Sequence, residues 1–484
     1  MARCDFGLIS APPRRTTPSP KDSNMATEAP GKVEQHTIYQ IPLDQRHGTW
    51  RDLFTIWFGS NIMMLTIITG SLASAVFKLD FASSCLSIII GNLVGAIFMA
   101  LHSAQGARLG VPQMVQTRGQ FGTIGAVLVV AIVIVMYVGF LASNIVLAGQ
   151  SLHTIAAGID QRWLIVLIAV ISVIATIFGH DLIHAYARVI TWASGLALLV
   201  SFAWIVLVHG LPGNFMAMNH FNLAGFCSMV SVGALWQIAY APYVSDYSRY
   251  MPHDTGAKDA FWASYWGCTL GSIFPMILGA MLGLVAANGD PVAGLTSFTG
   301  AVAVPVVVIF SIGIAGTNAM NLYCGVLSTI TLVHTFAPGW KPGAAARTTT
   351  AIAITLVGLA IALFAAGAFL TNYTNFILLL LYVLVPWTAI NLVDFYLVRH
   401  GDYDVGAFFT AEGGIYGRFN KSAIFCYILG ILIQLPFVSN DLYTGPVAKA
   451  LDGVDLSWIV GLCVISPVYY VMARKSASSL VPAT

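Results

Sequence analysis

"WFGSNIMM", Trp57 to Met64, sets three weak helix formers, Gly59, Ser60 and Asn61, side by side in a segment that is otherwise apolar from about residue 53 to 77. Glycine gives up the most backbone entropy in a helix, and Ser and Asn offer the backbone competing hydrogen bonds. A bilayer core of about 30 Å needs roughly 20 apolar residues per helical crossing. The surrounding run is long enough, so the stretch predicts a membrane helix interrupted part-way.

Composition places the whole chain in the same setting. Of 484 residues, 57% are hydrophobic and 9% charged, where a soluble domain carries roughly 25% charged residues. The apolar runs are unbroken over twenty residues rather than alternating over about ten, which selects helices over an outer-membrane barrel. Twelve runs are legible, near 53–77, 84–104, 124–150, 163–179, 187–208, 224–242, 261–286, 299–323, 348–370, 374–395, 421–438 and 456–473. The expectation is an all-α integral membrane protein of twelve transmembrane helices. The seven cysteines lack paired spacing and read as small core residues.

Threading the chain through twelve spans with both termini inside leaves only Lys78, Arg162 and Lys449 of the 22 Lys and Arg residues on the outer side. That asymmetry is the positive-inside pattern and predicts a plasma (inner) membrane protein with cytoplasmic termini. Residues 1–45, rich in Pro, Ser, Thr and charge, predict a disordered cytoplasmic tail without the apolar core of a signal peptide; Met25 offers a second start. The loop from His400 to Asn420 is too short for a second core, and no basic run suggests nucleic acid.

A bundle of this kind could be a secondary transporter, a channel or a membrane-embedded enzyme. Ionisable residues are almost absent away from the span ends, which disfavours intramembrane catalysis. His180, Asp181 and His184 sit where the fourth span gives way to the fifth, as interfacial residues rather than metal ligands. No phosphate-binding lysine loop and no repeated filter are present. A gradient-driven carrier is the leading class, and carriers commonly build their sites on broken helices near the bilayer midplane. Beyond Gly59–Asn61, a break is expected at Gly233 in the sixth span, with Pro242 ending it, and a third in "GIAGTNAMN", Gly313 to Asn321. Close helix packing through small residues is the alternative for each. The stretch "LWQIAYAPYVSDYSRYMP", Leu235 to Pro252, crowds four tyrosines and an Asp246–Arg249 pair at helical spacing at the expected inner mouth, as a gate or an interfacial anchor.

In order along the chain, "IPLDQRHGTWRDLFTIWFGSNI", "GARLGVPQMVQTRGQFGTIGA", "FGHDLIHAYARVITWASG", "WQIAYAPYVSDYSRYMP", "GTNAMNLY" and "VPWTAINLVDFYLVRHGDYD" resemble the nucleobase:cation symporter-1 family, in its purine-cytosine permease branch. The resemblance implies a LeuT-like fold of two inverted five-helix repeats, 46–210 and 211–400, with two peripheral helices in 401–480. It implies alternating access and cotransport of a flat heterocycle such as cytosine or a purine, with uracil, allantoin, a hydantoin or a thiamine-type pyrimidine as alternatives. A non-transporting membrane sensor of such a ligand is the alternative from another class. No cofactor and no obligate protein partner are expected; the ligand and the lipid bilayer are the partners.

A neutral base needs faces to stack on and amides to read its edge. Tyr137 and Asn144, seven apart, share a face of the third span. The resemblance puts Tyr137 near a stacking tryptophan of relatives and Leu141 where some carry a base-reading glutamine, which leaves Asn144 as the reader. Trp236 and Gln237 in the sixth span, and Asn318 and Asn321 in the eighth, complete the expected substrate site; core packing and an interhelical hydrogen bond are their structural alternatives. The resemblance further implies a cation held by the carbonyls of Gly59 and Ile62 with the Gly313–Thr317 turn, where Thr317 supplies the hydroxyl. Relatives with firm sodium coupling tend to carry two adjacent hydroxyls there, whereas this chain has Gly316 before Thr317. Na+ and H+ both remain open as the coupling ion.

Overall fold

The first membrane helix breaks where Gly59, Ser60 and Asn61 predict it. In the computed structural model, which describes residues 37–177, 180–254, 256–286, 290–365, 367 and 369–478, α1 (Trp50–Asn61) and α2 (Met64–Ala75) meet at Ile62 and Met63 and are bent by 58°. Thr49 caps α1, its side chain accepting from the Asp52 N–H at 3.3 Å. The helix stops because Ile62 leaves helical backbone, at φ −86° and ψ 77°. Its N–H donates to Gly59 O at 3.2 Å, the Met63 N–H to Asn61 O at 3.1 Å, and the Asn61 amide reaches back to Trp57 O at 2.7 Å. The kink therefore leaves few main-chain groups stranded, as a non-aqueous setting demands.

The remaining helices run α3 (Phe81–Leu109), α4 (Gln113–Phe121), α5 (Ala126–Ile155), α6 (Gln161–Ile177), α7 (His180–Ala203), α8 (Leu223–Ile238), α9 (Ala241–Ser248), α10 (Gly256–Val285), α11 (Pro291–Thr299), α12 (Ala303–Phe336), α13 (Ala344–Ala365), α14 (Phe369–Val393), α15 (Lys421–Gln434), α16 (Pro446–Ala450) and α17 (Ser457–Ser478). Among the described residues, nine helices are long and apolar enough to cross a membrane, or ten with α1 and α2 taken as one bent span. Two shorter apolar helices, Gln161–Ile177 and Lys421–Phe437, fall at the expected fourth and eleventh spans. An isolated bridge between Ser439 and Thr444 is the β-structure seen among the described residues.

Long α10 packs along α1, α2 and α3, α3 packs on α8 and α9, and α12 lies between α5 and α7. Small residues bring these helices close. A Cβ at Gly91 would strike the Val230 carbonyl, and one at Gly233 would stand 3.2 Å from both Gly91 Cα and the Asn92 nitrogen.

That contact corrects one expectation. Gly233 lies inside an unbroken α8, where it serves packing; the regular helix lapses instead at Ala239–Tyr240, both still near helical φ and ψ, and Pro242 lies in the first turn of α9 rather than ending a helix. Proline is tolerated in a first turn, where its missing N–H has no helical partner to lose. The third expected break is absent too, since α12 runs unbroken through Gly313–Asn321. The polar stretches also sit deeper than expected. All of α4 is buried, with Arg118 donating to Phe408 O at 2.8 Å and Thr331 O at 2.6 Å. α9 is buried throughout, so Tyr243 and Tyr247 do not anchor at an interface.

Residues 1–36, with Cys4 and Met25, lie outside the described residues, as do the side chains of His180, Asp181 and His184. Part of 37–45, expected to belong to the tail, packs on the helices, while Gln40 and Leu43–Gln45 stay exposed. Ile38 and Ile41 are buried, the Ile41 N–H donates to Gly110 O at 2.9 Å, and Arg249 holds Thr37 O at 2.8 Å.

Candidate functional site

The α1–α2 break, α5, the α8–α9 junction and α12 converge on one partly open cavity. The break supplies Trp57, Ser60, Met63 and Leu65; the α8–α9 turn supplies Trp236, Ala239, Tyr240 and Tyr243. Helix α5 adds Phe140 and Asn144, and α12 adds Thr317, Met320 and Asn321. Among the described residues, no Asp, Glu, Lys or Arg lines the cavity.

Aromatic rings form a linked wall. Tyr240 meets Trp57 edge-on at 5.5 Å, Trp236 at 6.0 Å and Tyr243 at 5.6 Å between ring centroids. Trp236 is fixed from behind, its indole N–H donating to Asn61 Oδ1 at 2.8 Å and Ser272 Oγ at 3.0 Å. Asn61 thus does two jobs, one on the break and one on the ring. The Trp57 indole N–H is buried with no partner among the described residues.

The amides are placed less evenly. Asn144 Nδ2 donates to Asn318 Oδ1 at 2.9 Å, which leaves Asn144 Oδ1 and Asn318 Nδ2 buried and without partners among the described residues. Asn144 lines the cavity and Asn318 stands behind it. Asn321 has both ends engaged, Nδ2 on Tyr137 O at 2.7 Å and Oδ1 on the Tyr243 hydroxyl at 2.5 Å. It sets the Tyr243 ring rather than offering a free edge.

Of the expected substrate residues, the cavity collects Asn144, Trp236 and Asn321, and leaves out Tyr137, Gln237 and Asn318. Tyr137 packs edge-on behind Tyr243 at 4.6 Å and donates to Pro242 O at 3.1 Å. Gln237 stands outside the lining, its Nε2 donating to Asn92 Oδ1 at 2.7 Å and reaching, at 3.3 Å, the Ser272 Oγ that also holds the Trp236 indole. Leu141 is buried outside the lining. Trp57, Tyr243 and Phe140 were missed; Trp57 stands one turn before Asn61 in the quoted break, which is the signal that could have flagged it.

The residues expected to hold a cation also come together. Thr317 Oγ1 donates to Ser60 O at 2.9 Å and Gly313 O at 3.2 Å, which clamps α12 onto the break. A Cβ on Gly313 would stand 3.4 Å from Ile62 O. The Gly59 carbonyl is engaged by the Ile62 N–H. Buried carbonyl and hydroxyl oxygens without a nearby carboxylate suit a hard monovalent ion, and among the described residues no cluster of three His, Cys, Asp or Glu could hold another metal. Neither Asp246 nor Asp394 lines the cavity. Asp246 accepts from the Gln113 N–H at 2.9 Å; Asp394 accepts from Arg399 Nε at 3.0 Å and from the hydroxyls of Tyr403 and Tyr469.

Known proteins share this chain's sequence pattern and fold. A model of the family described as "Permease for cytosine/purines, uracil, thiamine, allantoin" matches residues 40–461. A Bacillus subtilis (strain 168) protein named "Putative purine-cytosine permease" is 41% identical over 448 residues, 92% of this chain and 96% of that one. A purine-cytosine permease of Emericella nidulans is 23% identical over 89% of this chain and 86% of its own. Among solved structures, a nucleobase-cation-symport-1 family transporter in a closed conformation with bromovinylhydantoin bound matches at a TM-score of 0.74 and 18% identity, covering 93% of this chain and 97% of that one. A Na+-coupled sialic acid symporter matches at a TM-score of 0.62 and 13% identity, over 89% and 91% of the two chains. The fold is thus that of these transporters.

Proposed function

The chain belongs to the family of permeases for cytosine/purines, uracil, thiamine and allantoin, and from that premise we propose that it is a symporter that imports a nucleobase such as cytosine or a purine, driven by a sodium or proton gradient. Members of the family are permeases, so the work done at the cavity is binding and release rather than bond-making. The observation that carries the reading is the cavity itself: rings and amides, without a charge, set against a broken membrane helix. A base is planar and neutral. It gains from stacking on Trp57, Trp236 or Tyr240, and a ring N–H can satisfy the Asn144 Oδ1 that the protein leaves unpaired.

The break at Ile62–Met63 and the lapse of regular helix at Ala239–Tyr240 fall in the first and sixth spans, which in this reading open two inverted five-span halves, 46–210 and 211–400, with 401–480 peripheral. In this reading the twelve spans rock about the cavity and open it to one side at a time, with both termini on the cytoplasmic side of the plasma membrane. Sodium, where it is the driving ion, is held by the Ile62 and Gly313 carbonyls and the Thr317 hydroxyl, with Gly59 behind them. It supplies the charge that fixes the break against α12. Allantoin, a hydantoin, uracil or a thiamine-type pyrimidine is the alternative cargo, which the breadth of the family description supports.

The test is uptake of labelled cytosine, adenine, uracil and allantoin by proteoliposomes, with sodium and proton gradients imposed separately. Accumulation of a purine or cytosine under one gradient is expected. Binding without accumulation identifies a sensor, and uptake of no ligand under either gradient overturns the proposal.

A further inference from the structure

Two buried oxygens face the α1 break without partners. The first is the Ile62 carbonyl, to which no N–H or O–H among the described residues donates. The second is Ser194 Oγ on α7, fully buried and without a hydrogen-bond partner among the described residues. They come near one point: a Cβ built on Gly313 would stand 3.4 Å from Ile62 O and 3.5 Å from Ser194 Oγ. Thr317, one turn along α12, turns its hydroxyl to the same break. An orphaned buried hydroxyl is destabilising unless something satisfies it, and a carbonyl is an acceptor alone, so whatever sits between them must be electropositive.

The geometry points to Ser194 as a sodium ligand that completes, from α7, the oxygen set at the α1 break which Gly316 leaves one hydroxyl short. This rests on the sodium form of the transport reading above. The adjoining residue Thr191, one turn before Ser194, donates its hydroxyl to Thr55 O at 3.2 Å, so α7 already presents its hydroxyl face to α1. Ion binding then ties three elements together, α1, α7 and α12, rather than α1 and α12 alone. A bridging water is the rival occupant, since it too could satisfy both oxygens.

The experiment uses the full chain, purified and read by thermal unfolding and by binding of labelled base across a sodium titration at constant ionic strength. Ser194→Ala removes a hydroxyl that bonds to nothing among the described residues, so without sodium its melting temperature should equal or exceed that of the native chain. The sodium concentration for half-maximal stabilisation should rise at least tenfold. Gly313→Ala places a methyl at ordinary contact distances of 3.4 and 3.5 Å from the two oxygens, in a residue type that favours helix; it should fold and lose the sodium response. Native and Ser194→Ala curves that superimpose overturn the assignment and leave sodium coupling standing, which is the result a bridging water predicts. A native chain indifferent to sodium, with uptake driven by protons alone, overturns the sodium reading and Ser194 with it.

Discussion

Replacing Asn144 and Asn318 separately and together separates a ligand-reading pair from a structural one. In the folded chain the two amides share one hydrogen bond of 2.9 Å and leave Asn144 Oδ1 and Asn318 Nδ2 unmet among the described residues, the two residues being 2% and 0% exposed. Each unmet buried atom costs about 1–3 kcal/mol, and the shared bond returns about 0.5–1.5 kcal/mol. Asn144→Ala strands both ends of Asn318, and Asn318→Ala strands both ends of Asn144. The double alanine variant strands neither, so it should melt at or above the higher of the two single variants. Base binding behaves differently. Loss of the Asn144 acceptor removes a contact of about 1–3 kcal/mol, a roughly 5- to 150-fold rise in Kd at 1.4 kcal/mol per decade, in Asn144→Ala and in the double variant alike. Equilibrium binding of tritiated cytosine and adenine to the purified chain, with melting curves on the same samples, measures both effects. A double variant that binds either base within twofold of the native affinity refutes the reading of Asn144; additive losses of stability refute the account of the pair.

Trp236→Ala should weaken base binding by about 1–3 kcal/mol, the usual worth of one base–aromatic stack, while Trp236→Phe retains most of it; equal losses in the two would show that the indole N–H bonds, not the face, matter. Asp394→Ala should destabilise the chain by removing the acceptor of Arg399 Nε and of the buried Tyr403 and Tyr469 hydroxyls, at about 1–3 kcal/mol for each hydroxyl left unmet, visible as early unfolding in a denaturant series with base affinity unchanged in the surviving fold. Asp80 caps α3 from outside the membrane through the Ser83 N–H at 2.9 Å, and Asp80→Ala should cost about 1 kcal/mol. Burial pushes the Asp80 carboxyl up, but the Ser83 backbone and hydroxyl bonds outweigh it and hold it below its ordinary 3.8. Its contribution is therefore complete above that range and is lost as pH falls through it, so native and variant melting temperatures should converge in acid.

The membrane setting, the helices and the first break were all legible because each depends on a short stretch of chain. Apolar length fixes a crossing, and three weak helix formers together fix where it fails. Gly233 and Gly313–Asn321 carried similar signals yet stayed helical, because there the small residues admit a neighbouring helix: Gly91 against α8, and the Ile62 carbonyl against α12. A glycine that permits a break and a glycine that permits contact look alike until the neighbour is in place. The burial of α4 was not legible, since nothing local announces that Arg118 will find the carbonyls of Thr331 on α12 and of Phe408.

What the residues determined unaided is the class of solution: a bundle of greasy helices with uncharged polar groups at depth and a kinked first member. Which of those groups meet was decided in three dimensions. Trp236 and Gln237 are adjacent, yet one lines the cavity and the other faces α3, and Tyr243 rather than Tyr137 lines the wall. Helix rotation makes that choice, since neighbouring positions point about 100° apart and the packing of every other helix sets which direction is inward.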